Sequence, residues 1–134
     1  MIVIDTNLLV DYYLDRGRTE LAEIVLDRDP LWMAPLLWRS EFRNVLVDLI
    51  ADGIVQLVDA VRAMHDAELL MGGHEYQVMS EAVLRLATGS GCTAYDCEFV
   101  ALAEDLGTRL VTSDAELLKA FPGLAVAPER FVRR

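Results

Sequence analysis

The stretch Met1-Ile-Val-Ile-Asp-Thr-Asn-Leu-Leu-Val10 runs from an apolar strand directly into an acidic residue and the start of a helix. Its β-branched run, residues 2–4, is typical of a strand buried on both faces, and such strands belong to parallel sheets covered by helices. Ligands of such sheets bind outside the carboxyl ends of the strands, so Asp5 stands where a site would form. Asp5 or Thr6 would equally suit the cap of the following helix, and the residue types leave both interpretations open.

The composition fits one compact domain over residues 1–134, because 54% of the chain is hydrophobic, enough for a single real core. The formal net charge is -10, from 22 acidic against 12 basic residues. This balance argues against binding nucleic acid through a broad basic face. The balance does not exclude nucleic-acid binding at a site where bound divalent cations invert the sign of a local acidic patch.

The cysteines and histidines do not form a metal-binding pattern. Cys92 and Cys97 lack CxxC spacing and a neighbouring histidine, so we interpret them as reduced packing residues and His65 and His74 as structural. No segment has the length of a membrane span, and the amino terminus lacks the regions of a secretory signal. We therefore expect a cytoplasmic protein with no membrane partner.

Hydrophobic periodicity predicts strands and helices in alternation, the pattern of an α/β fold with a parallel sheet. One helix is expected to begin at Pro35 and end before Gly53, and another, over 57–70, to place Val58, Val61, Met64, Leu69 and Leu70 mostly on one side. The tail 131–134 is expected to be a loose end. The predicted strands are 2–4, 31–34, 74–78, 109–112 and 124–126, and the other predicted helices are 6–15, 18–28, 79–87, 93–106 and 115–120.

Four carboxylates occupy positions from which they could meet. Asp5 and Asp114 directly follow apolar strands, which puts both at the same edge of a parallel sheet. Glu41 and Asp96 lie in the opening turns of helices, Glu41 on the flank of an apolar stripe. Each has an ordinary explanation as a helix cap or first-turn acid. The sequence permits their convergence without proving it.

Converging carboxylates would need help to stay ionised. Two of them about 4 Å apart repel by roughly 4 kcal/mol at an effective dielectric constant near 20, so either protons or a cation must be present. Oxygen ligands without histidine or thiol favour Mg²⁺ or Mn²⁺. Such an ion lowers the pKa of a bound water and neutralises charge developing on a phosphodiester, the two requirements of its hydrolysis.

Several motifs, taken together, resemble those of a known family. They are Ile4-Asp-Thr-Asn-Leu-Leu-Val10, Ser40-Glu41, Thr93-Ala-Tyr-Asp96 followed by Val100-Ala-Leu-Ala-Glu-Asp-Leu-Gly107, and Leu110-Val-Thr-Ser-Asp114. In order and spacing they resemble PIN-domain ribonucleases, and among those most closely the VapC toxins of bacterial toxin–antitoxin pairs. The likeness spans nearly the whole chain, and the combination is specific although each motif is short.

The resemblance implies a single PIN domain, a three-layer α/β/α fold with a central, mainly parallel sheet of about five strands. It implies a Mg²⁺- or Mn²⁺-dependent endoribonuclease that hydrolyses RNA by a metal-activated water. The acidic quartet would be Asp5, Glu41, Asp96 and Asp114, with Asp5 and Asp96 as the principal metal ligands. Asp114 would complete the metal site, and Glu41 would orient the cluster and its water.

Further residues match polar positions of the family pattern or flank the quartet. Asn7, Thr112 and Ser113 would support the metal ligands, and Glu116 is either a fifth acid or a solvated helix residue. Arg39 and Arg43 flank Glu41 and would either meet RNA phosphates or solvate the surface.

The resemblance also implies partners. These are an RNA substrate, a second copy of the chain in a homodimer, and a cognate antitoxin whose segment lies in an apolar groove and inhibits the site. As a toxin the protein would arrest translation. Four aromatic residues are candidates for such surfaces, although aromatic residues at these spacings are more often core. They are Tyr12, Tyr13, Trp32 and Trp38.

Three alternatives belong to other classes. A haloacid-dehalogenase-like phosphatase needs a second aspartate two residues after the first, where Asn7 stands. A phosphoacceptor receiver domain needs an acidic pair there and a lysine after a late strand, and the chain has neither. The stronger rival is a catalytically idle PIN-like module that binds RNA or a protein, which replacement of Asp5 by Asn would leave functional.

Overall fold

In the computed structural model, residues 1–133 form five strands and eight helices. The strands are β1 (Ile2–Ile4), β2 (Trp32–Pro35), β3 (Glu75–Tyr76), β4 (Leu110–Val111) and β5 (Ala125–Val126). The helices are α1 (Thr6–Tyr13), α2 (Thr19–Arg28), α3 (Leu37–Ala51), α4 (Leu57–Met71), α5 (Ser80–Ser90), α6 (Ala94–Leu106), α7 (Ala115–Ala120) and α8 (Pro128–Val132).

The sheet has the order β3-β2-β1-β4-β5, and all its strand pairs are parallel. This confirms the α/β fold with a parallel five-stranded sheet flanked by helices. The β-branched strand β1 lies at the centre and is buried throughout, as its composition predicts. Its register pairs Ile4 with Val111 of β4, so the residues that follow these two strands leave the sheet at the same edge.

The core contains the large aromatic residues. Trp32, Trp38 and Phe42 are fully buried, with Trp38 and Phe42 in an edge-to-face contact whose ring centroids are 5.8 Å apart. Tyr12 packs its ring edge-on against Trp32. The two tryptophans therefore stabilise the core and are not available to a partner.

The expected start of the third helix is wrong. Pro35 is the last residue of β2, paired in register with Tyr76, and α3 begins at Leu37. The β2–β3 ladder continues past Pro35, because the Leu36 amide donates to the Tyr76 carbonyl at 3.0 Å. A proline at the end of a strand is as acceptable sterically as one in the first turn of a helix, so its residue type alone does not distinguish them.

The larger apolar residues of α4 do not form its buried face. Small residues and one methionine face the core, namely Ala60, Ala63, Ala67 and Met71. The larger apolar residues Leu57, Val58, Val61 and Leu69 are exposed. Alanines allow α4 to approach its neighbours closely, and the helix presents its bulkier apolar face outward.

The chain end is helical where a loose end was expected. Phe131 and Val132 belong to α8 and pack against the core, whereas Arg134 lies outside the described residues. Within the described part of the chain, no helix is both long and apolar enough to span a bilayer.

Candidate active site

The four acidic residues singled out by the sequence line one pocket of about 410 Å³ at the carboxyl ends of β1 and β4. Asp5 and Asp114 reach it from the residues that follow these strands, Glu41 from the second turn of α3 and Asp96 from the first turn of α6. The remaining lining residues are Thr6, Asn7, Leu37, Ser40, Asn44, Val45, Tyr95, Phe99 and Leu117. The fold therefore brings the whole quartet around a common space.

Asp5 both caps a helix and lines the pocket. The sequence left a helix cap and a site residue as alternatives, and the structure gives Asp5 both positions. Its Oδ1 accepts a hydrogen bond from the Leu8 amide at 3.0 Å, which makes it the N-cap of α1. Its Oδ2 accepts from Thr112 Oγ1 at 2.6 Å. The Thr112 hydroxyl in turn accepts from the Asp114 amide at 3.1 Å, so one fully buried threonine holds two members of the quartet.

Glu41 is held by a residue whose role sequence reasoning missed. Thr6, which is buried, donates from Oγ1 to Glu41 Oε1 at 2.6 Å. Within residues 1–133, Glu41 Oε2 makes no hydrogen bond or ion pair with the protein. The signal in the sequence was a threonine directly after the strand-end aspartate, but its capping potential gave no reason to pair it with an acid 35 residues away.

Asp96 and Asp114 are fixed by helix starts. Thr93 caps α6 by accepting from the Asp96 amide at 3.0 Å, as the capping-box pattern predicted. Asp114 caps α7, and its Oδ1 accepts from the amides of Glu116 and Leu117 at 2.8 and 3.3 Å. These bonds fix the carboxylate of Asp114 but only the backbone of Asp96.

The pocket destabilises negative charge. Burial raises the pKa of Asp5 to about 6, although hydrogen bonds from Thr112 and Leu8 oppose the rise. Burial likewise raises the pKa of Glu41, and Asp96 and Asp5 add to this effect by repulsion. The pKa of Asp96 rises by burial first and by repulsion from Asp114 second. Burial and mutual repulsion thus destabilise the ionised carboxylates. A bound cation would relieve this cost, and the relief would add to the free energy of cation binding.

The donor set fits a hard divalent cation. Every titratable side chain lining the pocket except Tyr95 is a carboxyl group, and the other polar side chains there are hydroxyl or amide groups, with no lysine or arginine. Within residues 1–133, no group of three or more acidic, histidine or cysteine side chains stands close enough to hold an ion without adjustment. Mutual repulsion explains this spacing, and side-chain rotation toward an ion would close it.

The structure separates the remaining candidates. Asn7 lines the pocket, whereas Ser113 and Glu116 do not. Ser113 Oγ accepts instead from Arg18 at 3.3 Å, and Glu116 borders a neighbouring cleft together with Lys119. Asn44, which the sequence reasoning missed, reaches the pocket because it lies three residues, nearly one helical turn, beyond Glu41.

The two candidate arginines lie outside the acidic pocket. Arg39 donates to both carboxylate oxygens of Glu75, with Nη2 at 2.8 Å from Oε1, and also pairs with Glu68. Arg43 borders a groove between α3 and α4. Arg39 is thus held by two acids, and a contact of either arginine with RNA stays a prediction. Cys92 and Cys97 are buried free thiols.

Comparison with known proteins identifies the family of the chain. The PIN domain family model matches residues 2–122. Ribonuclease VapC3 from Pyrobaculum aerophilum is 29% identical over 133 residues, which cover 92% of this chain and 96% of the relative.

Three solved structures share the fold. PAE2754 from Pyrobaculum aerophilum aligns with a TM-score of 0.78 at 23% identity, over 98% of this chain and 92% of that chain. A toxin–antitoxin complex from Klebsiella pneumoniae aligns with a TM-score of 0.67 at 18% identity, over 96% and 98%. FitAcB from Neisseria gonorrhoeae aligns with a TM-score of 0.69 at 17% identity, over 96% and 99%.

Replacement of Asp5 by Asn should stabilise the metal-free protein at neutral pH. The rise of the Asp5 pKa from 3.8 to about 6 means that its ionised form costs stability in the fold. The cost is absent below pH 4, grows as pH rises to about 6 and is constant above, where it amounts to roughly 2–3 kcal/mol. Urea unfolding in EDTA between pH 4 and 8 measures the difference between D5N and the wild type.

The exposed Asp27 on α2 provides the matched control, because it has no hydrogen-bond partner within the described residues. D27N should change the free energy of unfolding by less than about 0.5 kcal/mol at every pH. The prediction would be contradicted if the change in the free energy of unfolding caused by D5N did not depend on pH, or if D5N destabilised the protein above pH 6. Burial of an ionised Asp5 would then not destabilise the fold.

Proposed function

The chain belongs to the PIN domain family, and on that premise we propose that it is a Mg²⁺- or Mn²⁺-dependent endoribonuclease, the toxin of a toxin–antitoxin pair that arrests translation. The observation that carries the proposal is the pocket in which Asp5, Glu41, Asp96 and Asp114 meet without a neutralising basic residue. The similarity to Ribonuclease VapC3 along nearly its full length supports the ribonuclease activity.

In this proposal Asp5, Asp96 and Asp114 hold the ion, which would supply Lewis-acid activation of water and neutralise charge on the phosphodiester. Thr112 keeps Asp5 and Asp114 at a fixed separation through its two hydrogen bonds. Thr6 occupies Glu41 Oε1 and leaves Oε2 able to accept a proton from the attacking water. The raised pKa of Glu41 suits that task, because it brings the carboxylate nearer to neutral pH.

The pocket also offers neutral donors to a phosphate. The amides of Asn7 and Asn44 and the hydroxyl of Ser40 line it beside the acids. Neutral donors orient a phosphate without competing with a cation for the carboxylates. No side-chain nucleophile is required, so the reaction is hydrolysis, with water adding to phosphorus and the 3′ oxygen leaving.

We assign the antitoxin to the groove of about 390 Å³ between α3 and α4. Its walls are the apolar residues Leu46, Val47, Ile50, Leu57, Ala60, Val61 and Met64, with Arg43, His65 and Glu68 at the rim. Leu57 is 67% exposed and Val61 59%, which is unusual for large apolar residues arranged side by side on one helix. A segment of matching amphipathic character would bury them.

The groove and the acidic pocket both border α3. Asn44 and Val45 line the pocket, and Arg43, Leu46 and Val47 line the groove. In this proposal the antitoxin segment extends past the groove along α3 to the acids, where a basic side chain from it would pair with them and exclude the cation. That geometry gives inhibition by occupation of the site.

We also propose that the chain forms a homodimer. Leu69 at the end of α4 and Met79 before α5 are 69% and 73% exposed, and neither lines the antitoxin groove. Burial of both against a second copy would remove these exposed apolar groups from water. Light scattering should give twice the mass of the 15.0 kDa chain, and the double variant L69E/M79E should give the mass of one chain.

Loss of one acid should abolish cleavage. The wild type with Mn²⁺ should cut a random-sequence single-stranded RNA pool, and EDTA should stop it. E41Q and D96N should each lower the initial rate by at least about 100-fold, because one removes the proton acceptor and the other a metal ligand. D27N, which removes an equally charged but exposed group, should cleave like the wild type.

The same variants distinguish an enzyme from a catalytically idle binding module. Expression of the wild type should arrest growth, and expression of D96N should not. If D96N arrested growth as strongly as the wild type, the protein would act by binding, and the ribonuclease proposal would fail.

A charge in the α3–α4 groove should prevent neutralisation by the antitoxin. A genomic library screened for suppressors of the growth arrest supplies the antitoxin. V61D should still arrest growth but escape suppression, since its carboxylate would lose its hydration when the antitoxin covers the apolar walls of the groove. I24D provides the control, because Ile24 on α2 is 43% exposed and lies outside the groove. Suppression of V61D as complete as that of I24D would contradict the assignment.

A further inference from the structure

We propose that a second cleft, beside the acidic pocket, binds one base of the RNA next to the cut, and that Glu98 selects guanine there. The proposal rests on the ribonuclease activity proposed above. The cleft has a volume of about 520 Å³. It is lined by Leu36, Tyr76, Gln77, Val78, Ser80, Val83, Leu84 and Glu98.

The cleft and the acidic pocket are immediate neighbours. Leu36 lines the cleft and Leu37 the pocket, and in the same way Glu98 lines the cleft and Phe99 the pocket. The charge of Glu98 contributes to the raised pKa of Glu41, which places the two carboxylates within electrostatic reach. A nucleotide whose phosphate lies in the pocket therefore has this cleft within reach of its base.

Glu98 is the unexplained polar group of the cleft. It is half-buried, yet within residues 1–133 its carboxylate has no hydrogen bond or ion pair. The half-buried Glu75 shows the usual arrangement, since the Arg39 guanidinium holds the pKa of Glu75 below its ordinary range. Within the described residues, both oxygens of the Glu98 carboxylate are therefore free to accept hydrogen bonds from a ligand in the cleft.

The walls suit a base better than a phosphate. Four of the lining residues are aliphatic, and the Tyr76 ring offers a surface against which a planar base can pack. A phosphate would meet the Glu98 carboxylate with like charge and with no lysine or arginine among the lining residues. Proteins that read single-stranded RNA commonly hold unstacked bases in this way and read their Watson–Crick edges.

The carboxylate distinguishes between the four bases. It only accepts hydrogen bonds, and guanine alone presents two adjacent donors, N1–H and the N2 amino group, to its two oxygens. Cytosine and adenine each present one amino donor beside an acceptor nitrogen. Uracil presents one N–H between two carbonyl oxygens that would repel the carboxylate. Glu98 therefore favours guanine and disfavours uracil.

Sequencing the cut ends of a random-sequence single-stranded RNA pool tests the proposal. The wild type should enrich guanine at one position adjacent to the cut. E98Q replaces one acceptor with a donor, which no longer matches the two adjacent donors of guanine, so the enrichment of guanine at that position should fall by at least about fivefold. E81Q is the control, because Glu81 is exposed on α5 and does not line the cleft, and its profile should equal that of the wild type.

An E98Q profile identical to that of the wild type would overturn the proposal. A change in the mass of E98Q by light scattering with an unchanged base profile would overturn it in favour of a contact between copies. If the wild type cut no RNA, the ribonuclease proposal would fail separately. Anisotropy with labelled UUGUU, UUAUU, UUCUU and UUUUU in Ca²⁺ would then decide, with tightest binding of UUGUU by the wild type and loss of that preference in E98Q expected, and equal affinities of the wild type for all four contradicting the subsite.

Discussion

Thr112 Oγ1 donates a 2.6 Å hydrogen bond to Asp5 Oδ2, and this contact depends on the pairing of β1 with β4. Because Ile4 lies opposite Val111, the next residue of each chain segment emerges at the same edge of the sheet. The same threonine accepts from the Asp114 amide and so sets the position of a second acid. A shift of one residue in the register between β1 and β4 would turn these side chains to the opposite face of the sheet, and the pocket would not form.

The pocket exists at the expense of stability. Burial and repulsion raise the pKa values of Asp5, Glu41 and Asp96. The ionised forms of these side chains are therefore less stable in the fold than in water. Hydrogen bonds from Thr6 and Thr112 offset part of this cost and fix which oxygens face the cavity. Unfavourable burial of charged groups, offset by the hydrogen bonds of the surrounding structure, is typical of functional sites.

The positions of Asp5 and Asp114 were predictable because they depend on periodicity and on the edge rule of parallel sheets. For Glu41 and Asp96 the residue pattern only permitted convergence, and the resemblance to a family implied it. The outward face of α4 was not predictable in this way, since hydrophobic size suggests that valine and leucine point inward, and only the close packing of neighbouring helices selects Ala63 and Ala67 instead. Pairings between distant segments, such as Thr6 with Glu41, require the assembled fold. The same holds for the α3–α4 groove and for the cleft beside Glu98, which several elements build together.

The central claim is that the acidic pocket is a divalent-cation site, and a crystal structure with Mn²⁺ bound, located by its anomalous scattering, tests it most directly. The account predicts one anomalous peak between Asp5, Asp96 and Asp114, with their carboxylates rotated inward from the positions that now keep them apart. Thr6 and Thr112 should keep their hydrogen bonds to Glu41 and Asp5 in that structure. A pocket without a peak, in crystals of a protein that cleaves RNA with Mn²⁺, would contradict the account.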